Sequence, residues 1–290
     1  MEKSRNEVRT AQPGNILVPA DGSDYSGTAI RYAIYVAGKL NSGLTGLHVV
    51  DLKIIQGPLF SDIAFYSGLP AYYEFLPTIE DALERRADRI LGEFEKLCRS
   101  AGVPFELKKA RGIIDETILS EGKKTDWTLL AQRGEHSHLG QGILLGSTAE
   151  AVARNSQKPV MITPREFKEI ESIGLAYDGS APAATAMKIA AELSAAVRWP
   201  LTVIIVSDSQ EAAARLIRSA ESFLEPFEID SEVITLTGRE DREILKFIKE
   251  GSVELMVMGA FGRGRVKEFL LGSTTAFIIR NSPIPVLLTH

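Results

Sequence analysis

The sequence holds one cysteine, Cys98, in 290 residues. That excludes a disulfide framework within the chain and a thiolate metal cluster. Long apolar runs are missing as well, and none approaches the roughly 18 residues that a membrane-spanning helix requires. The opening stretch MEKSRNEVRTAQPG is polar and lacks the apolar centre of a secretory signal. It reads as a loose leader, residues 1–14, of a cytoplasmic protein. An excess of positive charge is also lacking. Net charge is −5, with 19 basic against 20 acidic residues up to Thr163 and 14 against 18 beyond it. Neither part carries the positive field that nucleic acid demands, so no nucleic-acid partner is expected. A Ser-His-Asp set, a paired acid and base, and a nucleophile with an evident activator are all absent, which leaves catalysis without residue-level support.

What is present is a duplication. Sliding the sequence by 157 residues lays NILVPADGSDYSGTAIRYA at 15–33 over SIGLAYDGSAPAATAMKIA at 172–190. Asp21-Gly22-Ser23 then meets Asp178-Gly179-Ser180. Sliding by 126 lays LLGSTAEAVARNSQKPVMIT at 144–163 over LLGSTTAFIIRNSPIPVLLT at 270–289. Both ends of the unit recur, so the chain reads as two copies of one domain, 15–163 and 172–290, joined by a linker at 164–171. The shifts differ by 157 − 126 = 31 residues, so the first copy is longer by that much. Two of the extra residues fall in a glycine-containing loop and most of the rest in an insertion at about 51–80.

Each copy alternates short continuous apolar runs with helical patterns. In the second, IGLAYD, LTVIIVS, EIDSEVITL, VELMVMG and IPVLLT read as strands. APAATAMKIAAELSAAV, SQEAAARLIRSAESFLEPF, REDREILKFIKEG and STTAFIIRNS read as helices. The fold class is therefore α/β, two tandem doubly wound domains, each a five-stranded parallel sheet covered on both faces. Ligands of such sheets bind beyond the carboxyl ends of the strands, where strand order reverses. The apolar last strands KPVMIT and IPVLLT would be edges needing cover. That need for cover, with the short linker, is expected to pack the two copies closely as an intramolecular pseudo-dimer, with a further homodimer left open.

The stretch GAFGRGRVKEFLLGST, Gly259 to Thr274, links an apolar strand to a helix. Its spacing is Gly259, two residues, Gly262, nine residues, Gly272, Ser273. Glycine permits close backbone approach to a ligand, and a helix start favours an anion. Ser273 and Thr274 add hydroxyls, and Arg263 and Arg265 add charge for a polyphosphate. The loop is neither a Walker loop nor a dinucleotide fingerprint. On composition alone, a surface loop with glycine turns stands beside the phosphate reading.

That spaced motif after the fourth strand, with Asp178 just after the first, resembles the ATP-binding branch of the universal stress protein family. The resemblance covers nearly the whole chain as two tandem domains, and it implies that their last strands meet across an approximate two-fold axis. It implies an adenine nucleotide, ATP or ADP or AMP, with or without Mg, lying over the strand ends. Carried over, Ala176 and Asp178 sit by the adenosine, and Val206 meets the adenine edge through its backbone. Met258, Gly259 and Gly262 line the ribose and phosphate path. Arg263, Arg265, Gly272, Ser273 and Thr274 hold phosphates. The first copy keeps Asp21, Val49, Gly134, Gly146, Ser147 and Thr148. Ala131 replaces its first glycine, eleven residues separate Gly134 from Gly146, and Glu135 adds negative charge. Its site is expected to be degenerate. The implied function is a nucleotide-binding stress regulator. A slow Mg-dependent ATP hydrolase or self-phosphorylating protein, and a nucleotide-independent scaffold, remain alternatives.

Four other features read as structural. His136 and His138 lack a further identifiable metal ligand. His48 lies in an apolar run and reads as a core or strand-end residue, and Cys98 as a small buried one. The insertion aromatics Phe60, Phe65, Tyr66, Tyr72, Tyr73 and Phe75 are expected to pack a long connection onto the domain.

Overall fold

The computed structural model describes residues 14–51, 71–134, 145–261 and 271–290, with the side chains of 71–76 excepted. The first half runs β1 (Ile16–Pro19), α1 (Asp24–Leu40), β2 (Leu44–Asp51), α2 (Ala71–Ala101), β3 (Phe105–Gly112), α3 (Ile114–Gly122), β4 (Trp127–Ala131), α4 (Ser147–Asn155) and β5 (Val160–Thr163). The second runs β6 (Ile173–Ala176), α5 (Ala181–Val197), β7 (Leu201–Val206), α6 (Gln210–Leu224), β8 (Ser231–Leu236), α7 (Glu240–Lys249), β9 (Leu255–Gly259), α8 (Ser273–Asn281) and β10 (Val286–Thr289). The alternation is the one the sequence pattern predicts. Several boundaries differ, two of them at helices. The expected helix over 209–227 ends at Leu224 and tightens into a 3₁₀ turn, Glu225–Phe227, at Pro226. The last ten residues of the 51–80 insertion are already helix, because α2 begins at Ala71.

All ten strands form one sheet, in the order β3-β2-β1-β4-β5-β10-β9-β6-β7-β8. Within each half every pairing is parallel. The halves join where β5 and β10 run antiparallel, with Val286 opposite Ile162, Leu287 opposite Met161 and Leu288 opposite Val160. Met161 and Leu287 are counterparts under the 126-residue shift, so the pseudo-two-fold axis passes through that pair. The expected meeting of the two last strands is thus the centre of the sheet, and neither strand is left as an open edge.

Strand alternation sorts the core into two layers. Ile16, Val18, Met161, Leu255, Val257 and Leu287 face the layer with α1 and α5. Leu17, Val160, Ile162, Met256, Met258, Val286 and Leu288 face the layer with α4 and α8. Each layer contains residues of both halves. Cys98 is wholly buried in the first of them. Burial favours its neutral thiol and pushes its pKa up to about 11.

The connection between the halves is strapped to α1. The Tyr32 hydroxyl donates to the Glu166 carbonyl at 3.1 Å and accepts from the Lys168 amide at 2.9 Å. The Tyr35 hydroxyl donates to the Ile170 carbonyl at 2.7 Å, and Thr28 Oγ1 to the Arg165 carbonyl at 2.8 Å. Phe167 packs against both tyrosines, and Tyr35 stacks on Trp199 of the second half. Tyr32 is fully buried, so Tyr32→Phe leaves two backbone groups unpartnered. The expected cost is about 1–3 kcal/mol, read as a lower urea midpoint with an unchanged slope. An unchanged midpoint would show that the strap adds nothing.

Candidate functional site

In the second half β6 lies between β9 and β7. The chain leaves β6 toward β7 on one side and returns as β9 on the other, so strand order reverses at the β6/β9 boundary. Doubly wound sheets hold their ligands at such a boundary, beyond the carboxyl ends of the strands. Beyond Ala176 the chain turns through Asp178-Gly179-Ser180 into α5. Gly179 takes φ +79°, a left-handed conformation suited to glycine. Asp178 Oδ1 accepts from the Ser180 amide at 2.9 Å, and Ser180 Oγ accepts from the Ala183 amide at 3.3 Å. Asp178 therefore shapes the turn whatever else it does.

The opposite lip is built from β9 and α8. Gly259 is in register with Thr289, and the Ala260 amide donates to the Thr289 carbonyl at 2.8 Å. The Gly272 amide donates back to the Ala260 carbonyl at 3.0 Å, and Thr275 Oγ1 to the Gly259 carbonyl at 2.9 Å. These bonds seat the start of α8 over the end of β9. Gly272 is its N-cap and supplies no side-chain cap. By contrast α1, α5 and α6 are each capped by a serine hydroxyl, from Ser23, Ser180 and Ser209. The first amides of α8 thus keep their capacity for an external acceptor. Thr274 Oγ1 lies 3.5 Å from Glu240 Oε2, which brings one carboxylate close to this helix start.

The two lips touch. A Cβ on Gly259 would lie 2.8 Å from Pro182 Cβ and 3.2 Å from the Ala183 amide nitrogen. Gly259 is therefore glycine for packing against the start of α5, a reason that the motif spacing did not reveal. Met258 is buried, its side chain in the core layer with α8, so only its backbone faces the strand end. Val206 closes β7 in register with Leu236, and Ala176 closes β6 in register with Ile204. Gly262, Arg263 and Arg265 lie outside the described residues.

The first half repeats the arrangement with differences. Asp21 Oδ1 accepts from the Ser23 amide at 2.9 Å. A Cβ on Gly134 would fall 2.8 Å from Asp21 Oδ2, so the two candidate residues adjoin. Val49 pairs with Ala110 near the end of β2. Gly146 is the uncapped N-cap of α4 ahead of Ser147 and Thr148, and its amide donates to the Gln132 carbonyl at 2.8 Å. Glu135, His136 and His138 lie outside the described residues, as do Phe60, Phe65 and Tyr66 and the side chains of Tyr72, Tyr73 and Phe75. His48 is buried with Nδ1 2.7 Å from the Ala20 carbonyl, a strand-end role.

Sequence reading missed Arg86. From α2 it donates to the Asp21 carbonyl at 3.1 Å, while Ile90 packs over Gly22. Its position in the lengthened helix has no signal in the motif. Among the described residues no three His, Cys, Asp or Glu side chains converge as a metal site, and no helix is long and apolar enough to cross a membrane.

Two doubly wound parallel units with matching Asp-Gly-Ser turns and glycine-capped helix starts, fused through their last strands, define a tandem α/β protein. The family description that matches is the universal stress protein family, over residues 13–164 and again over 169–290. The chain belongs to that family. It is 28% identical over 283 residues to Universal stress protein Slr1230 of Synechocystis, covering 94% of this chain and 98% of that one. A universal stress protein from Archaeoglobus fulgidus has the same fold, with a TM-score of 0.73 at 24% identity and 95% of each chain covered. A functionally unknown protein from Pseudomonas aeruginosa matches with a TM-score of 0.63 at 16% identity, covering 97% of this chain and 93% of that one.

Proposed function

We propose that the protein is a stress-response regulator that binds ATP or a related adenine nucleotide in the β6/β9 crevice of its second half. The observation that carries this reading is the start of α8. Its N-cap is a glycine with no side-chain cap, and it sits over the end of β9, which packs against the start of α5 just after the Asp178 turn. Such a helix start presents unsatisfied amides to an anion. Ser273 and Thr274 supply hydroxyls, and Gly262, Arg263 and Arg265 are assigned to the same phosphates. Asp178, Ala176 and the backbone at Val206, Met258 and Gly259 take the nucleoside. Mg²⁺ would ride on the phosphates. The role is regulatory, with any ATP hydrolysis weak.

Calorimetric titration of the intact protein with ATP, ADP, AMP, adenosine and GTP tests it. ATP is expected to bind, GTP at least tenfold more weakly. A protein that binds no adenine nucleotide at millimolar concentration is a scaffold independent of nucleotide, and the reading fails. Release of ADP that requires Mg²⁺ and stops in Gly272→Val would identify a slow hydrolase.

A further inference from the structure

On the layer that holds α4 and α8, the seam between the halves repeats its contacts in reverse. Under the 126-residue shift Glu150 corresponds to Ala276, Ala153 to Ile279 and Arg154 to Arg280. Gln132, just past β4, donates from Nε2 to the carbonyls of Ile279 at 2.8 Å and Ser282 at 3.0 Å, at the end of α8. His290, just past β10, places Nε2 2.8 Å from the Ala153 carbonyl, at the end of α4. The His290 ring packs edge-on against Phe261, at a centroid distance of 5.6 Å. Each helix therefore ends against a strand end of the other half.

One contact is not repeated. Arg280 reaches across the seam to Glu150, with a terminal nitrogen 3.5 Å from Oε2. Glu150 lies one turn beyond Ser147 at the start of α4. The counterpart of Glu150 is Ala276, one turn beyond Ser273 at the start of α8. Arg154, the counterpart of Arg280, thus has no carboxylate on the matching turn. Its Nε is buried without a hydrogen-bond partner. The Nε of Arg280 is buried and unpartnered too, but its head is held by Glu150. The pseudo-two-fold relation that carries Arg280 to Glu150 directs Arg154 toward the Ala276 turn, where Glu240, near Thr274, is the carboxylate that the described residues place at the helix start. An arginine so directed, with its Nε buried and unpartnered, calls for an anionic partner.

We propose that Arg154 of the first half is a phosphate ligand for the nucleotide held at the start of α8 in the second, and that Glu150 withdraws Arg280 from the same task in the first half. This rests on the nucleotide reading of the second crevice. It makes that site a product of both halves: the phosphate chain meets the amides and hydroxyls of Ser273 and Thr274 from one side and the Arg154 guanidinium from across the seam. It also gives the two crevices different charge. In one the arginine is available to phosphate, and in the other it is neutralised.

The test uses the full chain and calorimetry with ATP and with adenosine, which has no phosphate. Arg154→Ala is expected to weaken ATP binding at least tenfold, about 1.4 kcal/mol, while adenosine affinity stays within twofold. Arg154→Lys, which keeps the charge, retains binding between that of wild type and Arg154→Ala. Ala276→Glu installs the missing carboxylate and reproduces the loss for ATP alone. Wild-type ATP affinity in Arg154→Ala or in Ala276→Glu overturns the proposal, and so does an equal loss of ATP and adenosine, which marks a merely structural arginine. A wild-type protein that binds neither ligand overturns the nucleotide reading and this one together. ATP binding that is lost in Gly272→Val yet intact in Arg154→Ala overturns the arginine alone.

Discussion

Gly272→Val is expected to abolish ATP binding, while Gly146→Val in the first half leaves it within about threefold of wild type. The Gly272 amide is bonded to the Ala260 carbonyl at 3.0 Å, so the N-cap of α8 lies directly against the loop that leaves β9. Its counterpart shows how little room such a junction has. A Cβ on Gly146 would sit 3.3 Å from both Arg133 Cα and the Gln132 carbonyl oxygen. A branched side chain at Gly272 must displace the loop, the helix start, or the phosphates themselves. Losing two or three hydrogen bonds to charged oxygens at about 1.5–3 kcal/mol each amounts to more than a hundredfold in affinity. The same outcome is expected of Gly262→Val. The first crevice carries Ala131 for Gly259, two extra loop residues and Glu135, so titration of the wild type should count one tight site per chain. Wild-type affinity in Gly272→Val would sink the site assignment. Two equal sites, or loss of binding in Gly146→Val instead, would sink the asymmetry. The intact chain is the material for this test, because separate halves would uncover β5 and β10 as new edges.

The alternation of strands and helices was legible because each apolar run is bounded by its own stop signals. Ser180 before APAAT caps α5, and Gly251 follows α7 at φ +78°. The duplication was legible because the Asp-Gly-Ser turn and the Leu-Leu-Gly-Ser-Thr junction both hold local geometry that few other residues satisfy. An apolar edge must find a partner, and the resemblance to the family, whose dimers pair such strands, made the meeting of the last strands the expected cover. The register did not follow. Nothing in VMIT or VLLT says that Met161 faces Leu287 rather than a neighbour. That choice is made by the packing of whole layers on either face.

The site was legible only as a motif. Asp178 and Gly259 were read as ligand residues, and both turn out to have structural duties, in the Ser180 turn and against Pro182. A spacing pattern cannot separate a glycine kept for a ligand from one kept for a neighbouring helix. Arg86 and Arg154 were invisible for a different reason. Arg86 reaches the Asp21 turn from an element remote in sequence, the role proposed for Arg154 depends on how the halves pair, and nothing in their own segments marks either.

Leu287→Ala is expected to destabilise both halves at once. Leu287 is fully buried beside the pseudo-two-fold axis, opposite Met161, in the layer that α1 and α5 cover together. Truncating a buried leucine costs about 2–5 kcal/mol, with the cavity contributing alongside lost transfer energy. The void would open where the two halves share a core, so its effect should not stop at the half that carries the substitution. Amide hydrogen exchange separates the outcomes. Protection is expected to fall in β9, beside the substitution, and equally in β4 of the first half, which reaches Leu287 only through β5. A fall confined to β6 to β10 would mean that the halves unfold independently, with the strand pairing at the seam serving as contact and not as a cooperative core. An equal fall would mean that the duplicated units have become one folding unit, the condition under which an arginine of one half can be held in a fixed place at the crevice of the other.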